Sequence, residues 1–262
     1  MNFHLRQAQS IKYIQFLSAS EFPNLHHGLT LRSGGFSHRP FHSLNFGKKT
    51  DDLKPSIDKN YKKFFVSLDI PQTRFCQTLQ VHGSTVIRIK KNTPIEDYSK
   101  IQADALITNL TGTYLAMTVA DCLPIFFFHH HEKVIGLAHA GWRGTLKKIA
   151  VQTIRKLGSQ FKLPKNEFSA LLGPSIGECC FKVGQEIYNC FSPSARRKKM
   201  RINLQAENAL QLRKEGIPVE NIRMINLCTS CHQRWFFSYR RDQGKTGRML
   251  AFIGIRNEAN DK

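Results

Sequence analysis

The chain has 262 residues, of which 41% are hydrophobic, and its 39 Lys and Arg against 19 Asp and Glu give a net charge of +20. This length and composition allow one substantial hydrophobic core. No apolar stretch approaches the roughly 18 residues of a membrane span, and no secretion signal begins the chain. Seven cysteines, an odd number, argue against a disulfide framework. We therefore expect a cytoplasmic protein that binds no membrane.

The excess of positive charge has two interpretations. A basic cluster at 195–201 would attract the phosphates of nucleic acid or of anionic substrates. The other cations are dispersed along the chain, and no nucleic-acid-binding motif accompanies them. We therefore favour a solvated basic surface and do not expect nucleic acid as a partner.

Short apolar segments alternate with amphipathic stretches along the chain, and there is no internal repeat. Apolar and β-branched runs predict strands at 85–89, 114–119, 125–128, 134–138 and 249–255. Apolar residues at helical spacing predict a helix over 145–157 that ends at Gly158, and a second over 208–215 before Gly216. We expect the α+β class, with a single mixed α/β domain over residues 1–262 whose sheet order is undetermined.

Three side chains that can bind metal lie at the edges of predicted strands. Cys122 follows the strand at 114–119, His139 follows the strand at 134–138, and His82 precedes the strand at 85–89. A catalytic zinc site uses three nitrogen or sulfur ligands and leaves the fourth position open to water or substrate. Spacing alone leaves an alternative, because buried cysteines are commonly inert and a lone histidine is more often a hydrogen-bonded core residue.

Five segments around these residues, in this order, resemble one known family. They are Gln-Val-His-Gly at 80–83, Ala-Asp-Ala-Leu-Ile-Thr-Asn at 103–109, Ala-Asp-Cys-Leu-Pro at 120–124, His-Ala-Gly-Trp-Arg-Gly at 139–144 and Phe-Phe-Ser-Tyr-Arg-Arg-Asp at 236–242. Together they are similar to the YfiH/laccase-domain family, and the match extends from Arg32 to Met249. The resemblance implies a YfiH-like fold with His82, Cys122 and His139 as the metal ligands.

The same resemblance implies a zinc-dependent purine nucleoside enzyme, with Cu²⁺ as the alternative metal. The implied reactions are phosphorolysis of adenosine, inosine or methylthioadenosine at the ribose C1′ and deamination of adenosine. A nucleoside and phosphate are therefore the expected partners, and we expect a monomer or a weak dimer.

Further site residues are expected around the three ligands. In the resembling family, the segment that begins at Arg32 and the nearby Asn45 lie near the active site. Arg143 and Arg240 are expected to reach a phosphate or to close over the substrate, although exposed arginines in turns would have the same sequence. We expect Asp121, beside Cys122, to complete the catalytic group by orienting a ligand histidine; capping of a turn is its alternative role.

Other functions stay open. One is copper-dependent oxidation of phenols, although the only dense histidine run, at 129–131, is flanked like a loop tip. Another is a cysteine hydrolase with Cys122 as nucleophile and His139 as base, and a third is editing of cell-wall precursors.

The segment Cys-Thr-Ser-Cys-His at 228–232 matches the pattern for covalent haem attachment, which takes place outside the cytoplasm. Its C-x-x-C pair is also half of a structural zinc site, but the sequence shows no second half.

Overall fold

The computed structural model describes residues 3–19, 22, 24–91 and 93–257. Most strands in this part of the chain belong to two six-stranded sheets. The first has the order β1-β2-β3-β14-β7-β4. Its strands are β1 (Phe3–Ala8), β2 (Ile11–Phe16), β3 (Leu25–Thr30), β4 (Phe75–Cys76), β7 (Tyr114–Val119) and β14 (Met249–Ile255).

The second sheet has the order β13-β10-β8-β9-β6-β5. Its strands are β5 (Val86–Arg88), β6 (Ala105–Thr108), β8 (Leu123–His129), β9 (Ile135–Ala140), β10 (Phe168–Leu172) and β13 (Ile222–Met224). A small hairpin pairs β11 (Arg196–Arg197) with β12 (Arg201–Ile202). Both large sheets are mixed, because β4 with β7, β5 with β6 and β10 with β13 pair in parallel.

Alternating side chains along the strands build three apolar layers. In β7, Leu115 and Met117 lie in the core that the two sheets share, whereas Tyr114 and Ala116 pack on the opposite face with the first helix. The second sheet likewise buries a different set of side chains against helices on its outer face. The helices are α1 (Lys54–Leu68), α2 (Ile95–Tyr98), α3 (Trp142–Leu146), α4 (Ile149–Phe161), α5 (Gln185–Asn189) and α6 (Leu204–Lys214). Among the described residues, no helix combines the length and apolar character that a bilayer crossing requires.

The strand predictions agree with the structure to within a few residues. The predicted strands at 114–119 and 249–255 are β7 and β14, and the run at 125–128 lies inside β8. β5 is shorter than predicted, and β9 extends to Ala140, so that His139 lies within the strand rather than after it.

The helix predicted over 145–157 is wrong in its bounds. The structure has two helices there, α3 and α4, separated where Lys148 takes a left-handed conformation with φ of 59°. Apolar spacing continues across the break because it reflects which face is buried, not whether the backbone hydrogen bonds continue. α4 also passes through Gly158 and ends at Phe161, where Lys162 is left-handed and donates its N–H to the Gly158 carbonyl.

The last helix, α6, begins before the predicted start at residue 208. The Asn203 side chain caps it by accepting a hydrogen bond of 2.9 Å from the Ala206 N–H. Gln205, Glu207 and Asn208 in its first turns are polar and nevertheless buried. The apolar periodicity that predicts helices is therefore weak at this end.

The core between the sheets predicts that the same Leu→Ala substitution changes the free energy of unfolding by very different amounts at two positions. Leu115 is fully buried between the sheets, whereas Leu53, just before α1, is 66% exposed. We expect Leu115→Ala to lower the free energy of unfolding by about 2–5 kcal/mol. We expect Leu53→Ala to change it by less than about 0.5 kcal/mol. Urea denaturation followed by circular dichroism measures both; equal effects would contradict a core between the sheets.

Candidate metal centre

Cys122 lies where the chain crosses from the first sheet to the second. β7 ends at Val119 and β8 begins at Leu123. Asp121, with φ of 81°, makes the sharp turn between the two strands. In the second sheet, Leu123 pairs with Ala140 and Pro124 with His139. This register brings the Cys122 thiol to the end of β9 that carries His139.

The residue after β9 must be small for the thiol and the imidazoles to meet. A Cβ atom on Gly141 would lie 2.9 Å from the Cys122 Sγ and 3.1 Å from the His82 Cδ2. A methyl group at this position would therefore displace two of the three candidate ligands. Glycine is required here by close approach to the metal group.

His82 belongs to a loop that is fixed to the first sheet. The Gln80 side chain donates to the Thr118 carbonyl at 2.9 Å and accepts from the Thr118 N–H at 2.8 Å. These two bonds attach the loop to β7 shortly before Cys122. His82 itself has a left-handed backbone with φ of 57° and an exposed side chain. One ligand is thus accessible from solvent, while His139 is buried.

The three predicted ligands form one compact group. The ligating atoms of His82, Cys122 and His139 all lie within 4.8 Å of one another. The two imidazole rings have centroids 4.8 Å apart and planes inclined by 73°. Two nitrogens and one thiolate sulfur are the donors that zinc and copper prefer, and the exposed side of His82 leaves room for a further ligand. The residues therefore fit a metal ion.

Behind this group, the fully buried carboxylate of Asp104 holds two of the ligands. Its oxygens accept hydrogen bonds from the backbone N–H groups of Val81, His82 and Gly83 at 3.1, 3.0 and 2.7 Å. One oxygen also lies 2.8 Å from the His139 Nδ1. A histidine that donates from Nδ1 to a carboxylate presents its Nε2 to a metal. Asp104 thus fixes both the loop of His82 and the tautomer of His139.

The charges at this site favour a thiolate. Burial alone would raise the pKa of Cys122, but His139 and His82 outweigh it and lower that pKa to about 6. Burial likewise opposes a charged His139, yet the Cys122 thiolate and Asp104 raise its pKa to about 9. The deprotonated sulfur is the form that binds metal ions.

A cleft of about 440 Å³ is lined by none of the three ligands, but the N–H of Arg240, one of its lining residues, donates to Asp121 beside Cys122. Trp142, which follows Gly141, and Phe181 contribute aromatic rings to its wall, and Lys182 and Arg240 contribute cations. Such a lining suits a planar base together with an anionic group.

Asp121 does not orient a histidine, in contrast to our expectation. Its carboxylate accepts hydrogen bonds from the hydroxyls of Thr229 and Ser238, at 2.6 and 3.0 Å, and from the Arg240 N–H at 2.7 Å. Oδ2 therefore caps the turn after Phe237, Oδ1 is held by Thr229, and the orienting carboxylate is Asp104. Sequence adjacency to Cys122 was misleading because Asp121 lies in a sharp turn.

Arg32 and Asn45 organise loops in this structure. The Arg32 guanidinium donates to the carbonyls of His42, at 3.0 and 3.1 Å, and Gln233, at 3.1 Å. Asn45 is fully buried, and its Oδ1 accepts the Arg248 N–H at 2.8 Å. A direct contact of either side chain with substrate stays a prediction.

Of the other two predicted arginines, Arg240 lines the cleft and Arg143 lies over the ring of Trp142, a lining residue. Arg240 lines it, lies 5.3 Å from the centre of the Phe181 ring and donates to the Lys182 carbonyl at 2.7 Å. Arg143 is exposed and lies 4.3 Å from the centre of the Trp142 ring. Each is a cation over an aromatic ring that lines the cleft, and neither belongs to the metal group.

Sequence reasoning missed Arg248. This half-buried arginine interacts electrostatically with Cys122 and Asp121, and burial lowers its pKa. Its guanidinium donates to the carbonyls of Thr246 and Gly247 at 2.7 and 2.9 Å. The signal was its place in Thr-Gly-Arg-Met at 246–249, directly before β14. Asp104 carried a comparable signal, since a carboxylate within an apolar run requires buried partners.

Comparisons with known proteins agree with this geometry. A family model described as multi-copper polyphenol oxidoreductase laccase matches residues 26–256. The purine nucleoside phosphorylase YlmD of Geobacillus stearothermophilus is 34% identical over 247 residues, which is 88% of this chain and 90% of that protein. YlmD of Bacillus subtilis, with the same activity in its name, is 30% identical over 87% of this chain and 88% of its own length. The crystal structure of the Geobacillus stearothermophilus YlmD aligns with a TM-score of 0.91 over 98% of this chain and 99% of that one, at 33% identity.

Removing the charge of Asp104 tests whether this carboxylate positions the metal ligands His82 and His139. Asp104→Asn exchanges one acceptor oxygen for an NH₂ group, which cannot accept from the backbone N–H groups or from His139. We expect affinity for zinc to fall by about 10–100-fold. Competition with a chromophoric chelator measures it, and Asp97→Asn, an exposed residue in α2, is the control. An unchanged affinity in Asp104→Asn would contradict this role.

Proposed function

The chain belongs to the multi-copper polyphenol oxidoreductase laccase family, and from that membership we propose that it is a metal-dependent purine nucleoside phosphorylase. The relatives of that name, at 34% and 30% identity over most of their length, support the activity. The observation that carries the proposal is the three-ligand group of His82, Cys122 and His139 beside a cleft of aromatic and cationic residues.

We propose that the metal is zinc, with copper as the alternative. A bound zinc supplies a Lewis acid that polarises an oxygen atom of a ligand. Within the described residues, the histidines at 129–131 do not form a metal-binding group. The His129 Nδ1 instead accepts the backbone N–H groups of His131 and Glu132, at 3.2 and 3.0 Å, in a turn. This role favours a nucleoside enzyme over a multicopper oxidase.

The residues of the cleft, together with Arg248 near Cys122, suggest how the two substrates are held. Trp142 and Phe181 stack against the purine, and Arg248 attracts the phosphate toward the metal group. The phosphate oxygen then attacks the ribose C1′, the C1′–N9 bond breaks, and its electron pair leaves with the purine. Asp104 keeps His82 and His139 in place during this exchange.

We propose adenosine, inosine and methylthioadenosine as substrates. Deamination of adenosine would use the same site, with water in the place of phosphate. The catalytic group would be His82, Cys122 and His139, with Asp121 holding the turn that carries Arg240.

The metal ligand Cys122 gives the first test. We expect Cys122→Ala to lose both the metal and phosphate-dependent release of adenine and hypoxanthine. Metal content by mass spectrometry and purine release by chromatography provide the two readouts. Cys190→Ala is the matched control because Cys190 is exposed and lies outside the metal group. Wild-type enzyme that is active without metal would instead make Cys122 a nucleophile; metal without purine release would contradict the phosphorylase.

Arg248 gives a second, independent test of the phosphate site. A charge-assisted hydrogen bond contributes about 1.5–3 kcal/mol, so Arg248→Ala is expected to raise the KM for phosphate by about 10–100-fold. Arg248→Lys should recover part of the loss because it keeps the charge. Steady-state kinetics with phosphate varied and inosine fixed measure this, with the exposed Arg223→Ala as control. A KM that changes only for the nucleoside would place the phosphate elsewhere.

A further inference from the structure

Four cysteines that the proposed reaction does not use meet near the wall of the cleft. Cys179 and Cys180 follow β10, and Cys228 and Cys231 follow β13. Their four sulfur atoms all lie within 4.8 Å of one another. The C-x-x-C pair therefore has a second half after all, in a Cys-Cys pair about fifty residues earlier in the chain. We propose that these four thiolates bind a second, structural zinc ion.

The spacing of the sulfurs fits one tetrahedral ion. Zinc–sulfur bonds of about 2.3 Å place the sulfurs of a tetrahedral site about 3.8 Å apart. The Cys231 sulfur lies 3.5 Å from that of Cys179 and 3.4 Å from that of Cys180. These distances are well beyond the roughly 2.05 Å of a disulfide bond. A single ion thus joins all four sulfurs with small movements.

The surroundings suit a negatively charged cluster. Four thiolates around Zn²⁺ carry a net charge of −2, which requires nearby donors and cations. The Gly177 N–H donates to the Cys228 sulfur at 3.2 Å, a contact that stabilises a thiolate ligand. The Arg241 guanidinium donates to the carbonyls of Thr229 and Ser230 at 3.1 and 3.2 Å, on the loop between two of the ligands.

The four-sulfur site differs in kind from the centre at Cys122. Four cysteines fill all positions of a tetrahedral ion, and such closed sites are structural, whereas three protein ligands leave an open position. The imidazole of His232 is turned to the Cys228 carbonyl, with 2.9 Å between its Nδ1 and that oxygen. The five-residue pattern at 228–232 is therefore explained without haem.

The position of the site indicates what the second zinc stabilises. The loops it would join already touch, since the Thr229 N–H donates to the Ser175 carbonyl at 3.0 Å. Both loops also contact Asp121, through the Ile176 N–H at 2.9 Å and the Thr229 hydroxyl at 2.6 Å. Phe181 and Lys182 of the cleft wall directly follow Cys180. The zinc ion thus joins this wall of the cleft to the loop at 228–231, and both loops contact Asp121 beside Cys122.

Zinc stoichiometry in single and double variants tests the proposal. After removal of loosely bound metal under reducing conditions, we expect about two zinc ions per wild-type chain and about one in either Cys122→Ala or Cys231→Ser. The double variant should hold none, and Cys190→Ser should match the wild type. Loss of zinc in Cys122→Ala alone reports on the proposed function, whereas loss in Cys231→Ser reports on the four-cysteine site.

Cobalt substitution supplies a spectroscopic measurement, with circular dichroism as the check that each variant is folded. In the Cys122→Ala background, Co²⁺ should produce intense sulfur-to-cobalt absorption, and adding Cys231→Ser should weaken it strongly while circular dichroism stays unchanged. Three results would overturn the proposal: no zinc beyond that lost in Cys122→Ala, a disulfide among the four cysteines in freshly reduced protein, or iron with inorganic sulfide in place of zinc.

Discussion

The metal centre depends on one buried carboxylate. Burying the charge of Asp104 without partners would cost several kcal/mol, and the chain offsets this cost with donors from two separate segments. Burial raises the pKa of Asp104, but the hydrogen bonds from His139, Gly83 and Val81 outweigh it and leave that pKa lowered. Once buried, the carboxylate stays ionised only when the His82 loop and β9 both supply their donors. Correct placement of the ligands and stability of the buried charge are therefore the same requirement.

The ligand group is attached to both sheets. The Gln80 side chain fixes the His82 loop to β7 in the first sheet, whereas Asp104 fixes it beside β6 in the second. Cys122 lies on the short segment that crosses between the sheets. The metal centre thus lies where the two sheets meet. A small shift of one sheet against the other would change the distances among the three ligands.

The local sequence pattern predicted those strands and helices that depend only on the burial of neighbouring residues. The apolar run at 249–255 is β14 because consecutive apolar residues suit a strand that is buried on both faces. The three ligands were predicted from motifs that resemble a family. Sheet order depends on pairing between distant segments, so no local pattern contains it. The break between α3 and α4 was missed because the same face stays buried on both sides of it.

The errors in predicting the orienting carboxylate and the four-cysteine group have a common cause. Asp121 adjoins Cys122 in sequence but points to the turn at 238–240. Asp104, eighteen residues before Cys122, reaches the centre from the position just before β6. The Cys-Cys pair at 179–180 likewise meets the C-x-x-C pair only after β10 and β13 align in parallel. Chemistry that is assembled across strands is visible in sequence only as unexplained polar residues.

The place of β14 determines when the first sheet can close. This strand pairs with β3 on one side and with β7 on the other, so it fills the middle of the first sheet, and it comes last among the described strands. During synthesis, β7 and the Cys122 segment must wait for residues 249–255 before their sheet can close. A chain that ends before these residues contains all three ligands but only an incomplete first sheet. Cys122 therefore reaches its final position, where the chain crosses from the first sheet to the second, only after the last described strand has been synthesised.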